Sequence, residues 1–120
     1  YFIILNNEIT IKNTPVHSYA FCSDTIYNES LIEKIKGIDL LYHESTFKKD
    51  LQDRAKKTGH STTYDAAKIA KKSAVKNLLI GHFSQRYKNL DELLLESKVI
   101  FKNTYLAKSG LVLDFNNLSS

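Results

Sequence analysis

The stretch LLYHESTF, residues 40–47, changes abruptly from an apolar run into a row of polar side chains. Its first three residues, Leu, Leu and Tyr, have the apolar and β-forming character of a buried strand. The next four, His, Glu, Ser and Thr, can all form hydrogen bonds through their side chains. Such a change at the end of a buried strand is typical of the functional edge of an α/β sheet.

Two other apolar runs in the chain end in the same way. YAFC, residues 19–22, is followed by Ser23 and Asp24, and LLI, residues 78–80, is followed by Gly81 and His82. In an open parallel sheet the carboxyl ends of the strands meet at one edge, where ligands bind. We therefore expect four side chains to converge on one cleft, namely Asp24, His43, Glu44 and His82.

Strand and helix patterns alternate along the chain, which predicts an α/β layered architecture. The predicted strands are a hairpin over 2–11 turning at Asn6 and Asn7, then 18–22, 38–44 and 75–83, and a final strand or hairpin over 104–115. The predicted helices are 28–37 with Asn28 or Ser30 as N-cap, 47–59 closed near Gly59, 62–74 with Thr62 and Asp65 in capping-box spacing, and 89–101 capped by Asn89.

Composition is that of one ordinary globular domain: 120 residues, 42% hydrophobic and 25% charged. No apolar run of about eighteen residues and no signal-peptide pattern is found, so we expect a soluble, cytoplasmic protein without a membrane partner. The lone Cys22 favours a reducing compartment and a role as a small buried residue. The chain has no Met, and we expect it to be a piece of a longer protein.

A net charge of +4 suits a polyanionic partner such as RNA. Most of the lysines, however, lie in two predicted helices, within KKDLQDRAKK and KIAKKSAVK. A solvated helix face explains them as well as a binding patch does, so both interpretations stay open.

The candidate residues have the chemistry of a metal site with a proton donor. The Asp24 carboxylate and the His82 imidazole are suitable ligands for zinc or a similar divalent ion. Because catalytic zinc takes about three protein ligands, further ligands must come from outside this chain. His60, in GHSTT just before a helix, is a candidate proton donor beside Glu44.

Each candidate also has a structural interpretation. Asp24 can be a turn residue, and His60 and His82 can be hydrogen-bonded loop or strand-end histidines. For His43 we prefer a buried, hydrogen-bonded role to metal ligation. Three further polar or aromatic residues can be ordinary surface or packing residues: His17, Arg86 and Tyr87.

In order along the chain, SDT (23–25), HEST (43–46), GHSTT (59–63) and GHFSQRY (81–87) resemble the C-terminal portion of ribonuclease Z, the tRNA 3′-end endonuclease family of the metallo-β-lactamase superfamily. The last motif is the most specific, and the resemblance runs from about Ser18 to about Phe115. The family usually reads HEAT where this chain reads HEST. The resemblance implies that residues 1–120 form the C-terminal half of a metallo-β-lactamase-type αββα four-layer fold.

The resemblance also implies a role for each matching residue. Asp24 corresponds to the aspartate that bridges two zinc ions, and His82 to a histidine ligand of one of them. Glu44 and His60 correspond to the pair that delivers a proton to the leaving group, and Arg86 to a basic residue near the scissile phosphate or the tRNA end. The motif residues His43 and Tyr87 are interpreted as supporting.

The family's main metal motif, His-x-His-x-Asp-His, does not occur in this chain. The resemblance therefore implies a missing N-terminal half, an inactive isolated chain, and a complete enzyme that binds two zinc ions or other divalent metals, forms a homodimer and cleaves precursor tRNA. The alternatives are another phosphodiesterase of the same fold, or a non-catalytic RNA-binding or interaction half. Retention of four residues argues against a non-catalytic half, namely Asp24, Glu44, His60 and His82.

Overall fold

The computed structural model describes residues 9–11, 17–108 and 110–113. Its elements, in chain order, are β1 (Ile9–Ile11), β2 (Tyr19–Cys22), α1 (Leu31–Lys34), β3 (Leu40–Glu44), a 3-10 turn (Lys49–Leu51) leading into α2 (Gln52–Thr58), α3 (Thr63–Ser73), β4 (Asn77–Gly81), α4 (Asp91–Lys98), β5 (Thr104–Leu106) and β6 (Leu111–Leu113).

The main sheet is parallel and has the strand order β2-β3-β4-β5, which is also the chain order. Helix α3 packs against α1, α4, β3 and β4. The strand residues Leu41, Leu78 and Ile80 are fully buried and belong to the same apolar core as the alanine-rich face of α3. The α/β prediction is confirmed, with a helical layer covering one face of the sheet.

The other face of the sheet is aromatic and only partly covered by the described residues. Tyr19, Tyr42 and Tyr105 pack around the buried Leu79 but remain partly exposed. The rings of Phe21 and Tyr42 stack with centroids 4.2 Å apart. A second, two-stranded parallel sheet, β1-β6, lies on this side through its residue Leu113.

The last two strands belong to different sheets, so within residues 104–113 neither the single strand nor the hairpin expected there is found. Strand β5 pairs with β4, and Ala107 extends this edge by donating its N–H to the carbonyl of Ile80. Gly110 then adopts a left-handed φ of 81°, and β6 pairs with β1. The predicted turn at Asn6 and Asn7 lies outside the described residues.

The helix ends show which capping predictions hold. Thr62 and Asp65 form the predicted reciprocal capping box of α3. Helix α4, in contrast, begins at Asp91, because the Asn89 side chain accepts the Asp91 N–H and forms a turn before the helix. Within the described parts of the chain, no helix has the length and apolar character that crossing a bilayer requires.

Candidate metal centre

Four ionisable side chains from different segments meet at the carboxyl edge of the main sheet. Asp24 follows β2, Glu44 ends β3, His82 follows β4, and His60 lies between α2 and α3. One donor atom from each can be chosen so that all four lie within 4.8 Å of one another. The structure thus brings Asp24, Glu44 and His82 together as the strand ends predict, and it adds His60.

Asp24 and His82 both have left-handed backbone conformations, with φ of 50° and 61°. Among the described residues only Ala74 shares this feature without being glycine. Such a conformation costs an L-residue roughly 1–2 kcal/mol and is enriched at functional sites. At both strand ends the chain therefore leaves the sheet abruptly and carries its side chain over the edge.

Glu44 is fully buried, and its carboxylate is surrounded by hydrogen-bond donors. Oε1 accepts the N–H of Thr25 at 2.8 Å, and Oε2 accepts the hydroxyl of Thr46 at 2.5 Å and the N–H of Ser61 at 3.2 Å. Nδ1 of His60 lies 3.0 Å from Oε1. Since four donors occupy both oxygens, the Glu44 carboxylate fixes the positions of its neighbours.

His60 is oriented by its bond to Glu44. Because Nδ1 donates to the carboxylate, Nε2 is left for other chemistry. The backbone N–H of His60 is fixed 2.8 Å from the carbonyl of Ala55, and its ring lies 5.3 Å from that of His82. With 23% of its side chain exposed, His60 can present Nε2 to a bound molecule.

The tautomer of His82 follows from Thr46. The Thr46 hydroxyl gives its hydrogen to Glu44, so at 3.0 Å it must accept the Nδ1–H of His82. Nε2 of His82 then carries a lone pair and lies 3.9 Å from Oδ1 of Asp24. Two ligand bonds of about 2.1 Å span at most about 4.2 Å, so this pair fits one divalent metal ion.

His43 does not join the cluster, so its expected convergence is wrong, whereas its interpretation as a buried histidine is confirmed. It lies in register with Cys22 and Ile80, whose side chains belong to the helix-side core. Nδ1 donates to the Glu44 carbonyl at 2.8 Å. Burial lowers the pKa of His43, and Nε2 has no hydrogen-bond partner in the described part of the chain.

Arg86 and Tyr87 lie beside the cluster. The Arg86 guanidinium is 5.4 Å from the centre of the Phe47 ring, and the His60 ring meets the same ring edge-on at 6.4 Å. Tyr87 accepts the Lys48 N–H at 2.9 Å and so connects the two loops. Arg86 and His60 therefore share a contact with Phe47, which places Arg86 near the cluster.

The sequence analysis assigned no role to three residues that support the site: Thr25, Thr46 and Ser61. Thr46 connects Glu44 with His82, and the Ser61 hydroxyl donates to the Thr25 carbonyl at 2.5 Å. All three are polar residues inside the motifs SDT, HEST and GHSTT. That position is the one signal by which they could have been found.

The chain is 48% identical over 115 residues to a ribonuclease Z from Bacteroides thetaiotaomicron, a match that covers 96% of this chain and 36% of that protein. Over almost its whole length the chain is similar to ribonuclease Z. The predicted resemblance is thus confirmed, although no family model matches the chain. The chain spans little more than a third of this ribonuclease Z, and the same holds for a second one from Phocaeicola vulgatus, at 38%.

Solved structures agree with this similarity. A long-form RNase Z from yeast has a TM-score of 0.72 and 28% identity, covering 84% of this chain and 14% of that one. A metallo-β-lactamase fold protein, YhfI, from Bacillus subtilis has a TM-score of 0.71 and 30% identity, covering 79% and 39% of the two chains. The fold is therefore of the metallo-β-lactamase type, as the motifs imply.

Proposed function

We propose that the parent protein is a metal-dependent endoribonuclease that cleaves precursor tRNA at its 3′ end, and that residues 1–120 are the C-terminal part of its metallo-β-lactamase-like domain. This proposal rests on one structural observation. The buried Glu44 carboxylate holds His60 beside the pair formed by Asp24 and His82. A fixed proton donor next to a ligand pair is what hydrolysis of a phosphodiester requires.

Asp24 and His82 would hold the metal, which we propose to be zinc, with two ions in the complete enzyme. Their oxygen and nitrogen donors suit zinc, and other divalent metals are compatible with the same pair. When bound, such ions supply Lewis acids that neutralise phosphate oxygens and lower the pKa of water. The remaining ligands would come from the N-terminal half of the domain.

His60 would donate the proton that the leaving ribose oxygen needs. Glu44 fixes its ring through Nδ1, so that Nε2 is the atom from which a proton would be given. Protonation of the 3′ oxygen releases a tRNA with a free 3′ hydroxyl and a trailer with a 5′ phosphate. Both catalytic assignments, Glu44 and His60, rest on this geometry.

Arg86 would bind the substrate near the scissile phosphate or the tRNA end. Its guanidinium packs over the Phe47 ring, which limits its motion while leaving its N–H groups available. A guanidinium binds phosphate through paired hydrogen bonds. Its exposure and its place beside the cluster suit that role.

The partly exposed aromatic face of the sheet supports a proposal on the missing N-terminal half. Tyr19, Tyr42 and Tyr105 form a surface that the N-terminal half of the same fold would cover. Without that half, the isolated chain would lack ligands and be inactive. We further propose that the complete enzyme is a homodimer, as the family resemblance implies.

The proposal is tested with the full-length enzyme on two substrates, precursor tRNA and bis-p-nitrophenyl phosphate. Site-specific cleavage of the precursor, lost on chelation and restored by zinc, is the expected result. Hydrolysis of the small diester without cleavage of the precursor would favour a phosphodiesterase of the same fold. Binding of tRNA without cleavage of either substrate would favour a non-catalytic half.

A further inference from the structure

A groove begins at His60 and runs along α3, and we call it the lysine groove. Its first part is a cavity of about 370 Å³ whose lining includes His60, Lys49, Lys56, Tyr64 and Lys68. A second cavity of about 400 Å³ shares Tyr64 and Lys68 and continues to Lys71 and Lys72. The groove thus connects the candidate proton donor with the basic surface of the helical layer.

Three lysines of the lysine groove, Lys49, Lys56 and Lys68, make no ion pair in the described part of the chain. Asp65 also lines the groove, but it is 2% exposed and its carboxylate accepts the Thr62 N–H and the side-chain amide of the neighbouring glutamine. These three lysines therefore face the groove without an ion pair in the described part of the chain, although Glu29 and Glu96 lie near Lys68 and Lys49.

Tyrosine rings hold two of these lysines in place. The ammonium of Lys49 lies 4.1 Å from the centre of the Tyr64 ring. That of Lys68 lies 4.4 Å from the Tyr27 ring and 4.8 Å from the Tyr64 ring. Because ammonium groups already cover these ring faces, the groove is suited to phosphate groups more than to stacked bases.

The outer part of the groove differs from the inner part. Lys72 forms an ion pair with Glu29 at 2.6 Å, which raises the pKa of Lys72 and lowers that of Glu29. Residues 64, 68 and 71 or 72 lie on successive turns of α3, about 5.4 Å apart. The unpaired positive charge of the lysine groove is therefore greatest near His60 and decreases with distance from it.

We propose that the lysine groove binds backbone phosphates of the nucleotides on the 5′ side of the cleaved bond, at the acceptor end of the precursor tRNA. This inference rests on the proposed function. His60 is assigned to the ribose oxygen that leaves, and that oxygen belongs to the last nucleotide of the mature tRNA. The groove that starts at His60 therefore receives the tRNA end, and the trailer lies elsewhere.

The test uses the full-length enzyme with Lys49→Ala, Lys56→Ala and Lys68→Ala combined. The matched control combines Lys36→Ala, Lys98→Ala and Lys102→Ala, three exposed lysines outside the groove. Each variant is assayed on precursors with a single-nucleotide and with a long trailer, and on bis-p-nitrophenyl phosphate. The dissociation constant for precursor tRNA is measured at several salt concentrations.

We expect the groove variant to bind both precursors at least about tenfold more weakly at about 0.1 M salt. The slope of log affinity against log salt should become shallower by about two to three, since each phosphate contact contributes about one. Hydrolysis of bis-p-nitrophenyl phosphate should not change, because the small diester does not reach the groove. The control variant should match wild type in every assay.

If the groove variant lost affinity for the long-trailer precursor alone, the proposal would be overturned, since this result would place the trailer in the groove. An unchanged affinity and salt slope would overturn it as well. If the combined variant fails to fold, Lys49→Gln, Lys56→Gln and Lys68→Gln are measured singly, each with an expected slope change of about one. Failure of the wild-type enzyme to cleave precursor tRNA would instead contradict the proposed function.

Discussion

The Thr46 hydroxyl lies 3.0 Å from Nδ1 of His82. Because it also donates to Glu44, it sets the tautomer that leaves Nε2 of His82 free for a metal. We expect Thr46→Val in the full-length enzyme to weaken metal affinity by about 10–100-fold, the usual cost of losing a residue that orients a ligand. A metal titration checks this, and Thr46→Ser, which retains the hydroxyl, should stay close to wild type.

Replacing His60 should separate proton donation from metal binding. His60→Ala in the full-length enzyme is expected to lower turnover of precursor tRNA by at least about a hundredfold, the scale of general acid catalysis. Zinc content, measured by elemental analysis, should stay at the wild-type level because His60 bonds to Glu44. Loss of zinc in this variant would assign His60 to the metal instead.

Arg86 and Arg54 form a matched pair, because both guanidinium groups lie over the Phe47 ring, at 5.4 and 5.9 Å. We expect Arg86→Ala to weaken binding of precursor tRNA and to make its salt dependence shallower by about one. Arg54→Ala should have a smaller effect, since Arg54 lies outside the family motifs. Equal losses in the two variants would indicate a general effect of charge or of packing on Phe47.

The buried His43 predicts how stability depends on pH. Its pKa is lowered by burial, so below about pH 6.5 the unfolded chain takes up a proton that the folded protein resists. The buried His43 therefore lowers the free energy of unfolding only below that pH, and does so increasingly as the pH falls. Denaturant unfolding of the metal-free full-length protein should show this decline, by up to about 1.4 kcal/mol per pH unit. His43→Leu should show a shallower one.

Gly81 and Tyr42 are in close contact across the sheet. A Cβ at residue 81 would lie 2.5 Å from the Tyr42 hydroxyl oxygen and 2.8 Å from a ring carbon. We expect Gly81→Ala to lower the free energy of unfolding by about 1–3 kcal/mol, a typical cost of overpacking. Calorimetry of Gly81→Ala with and without Tyr42→Leu measures the coupling, and an additive double variant would contradict the clash.

Patterns among neighbouring residues in the sequence predicted the strands β2, β3 and β4 and the start of α3. Their apolar runs end in polar residues, and Thr62 and Asp65 have the spacing of a capping box. The separation of β5 from β6 was not predictable in this way, because two short apolar strands around Gly110 also fit a hairpin. Pairing partners from distant segments decide between the two arrangements.

The candidate site, like the fold, was predictable from the sequence only in part. The strand ends predicted the meeting of Asp24 and His82, since parallel strands share an edge. The connection that Thr46 makes between Glu44 and His82 joins two different strand ends, and spacing along the chain does not reveal it. Likewise, the Tyr27 ring that contacts Lys68 in the groove comes from a distant segment of the chain.

The left-handed backbone at Asp24 and His82 lowers the stability of the protein, while the side chains at these two positions supply donor atoms for the proposed metal site. Glycine would adopt both conformations without the steric cost that these two residues bear. A selection for heat resistance alone, applied to the metal-free protein, would therefore favour glycine at the two positions that we propose as metal ligands. The evolutionary persistence of an aspartate and a histidine there would depend on continued demand for the metal, and a lineage released from that demand would lose the site first.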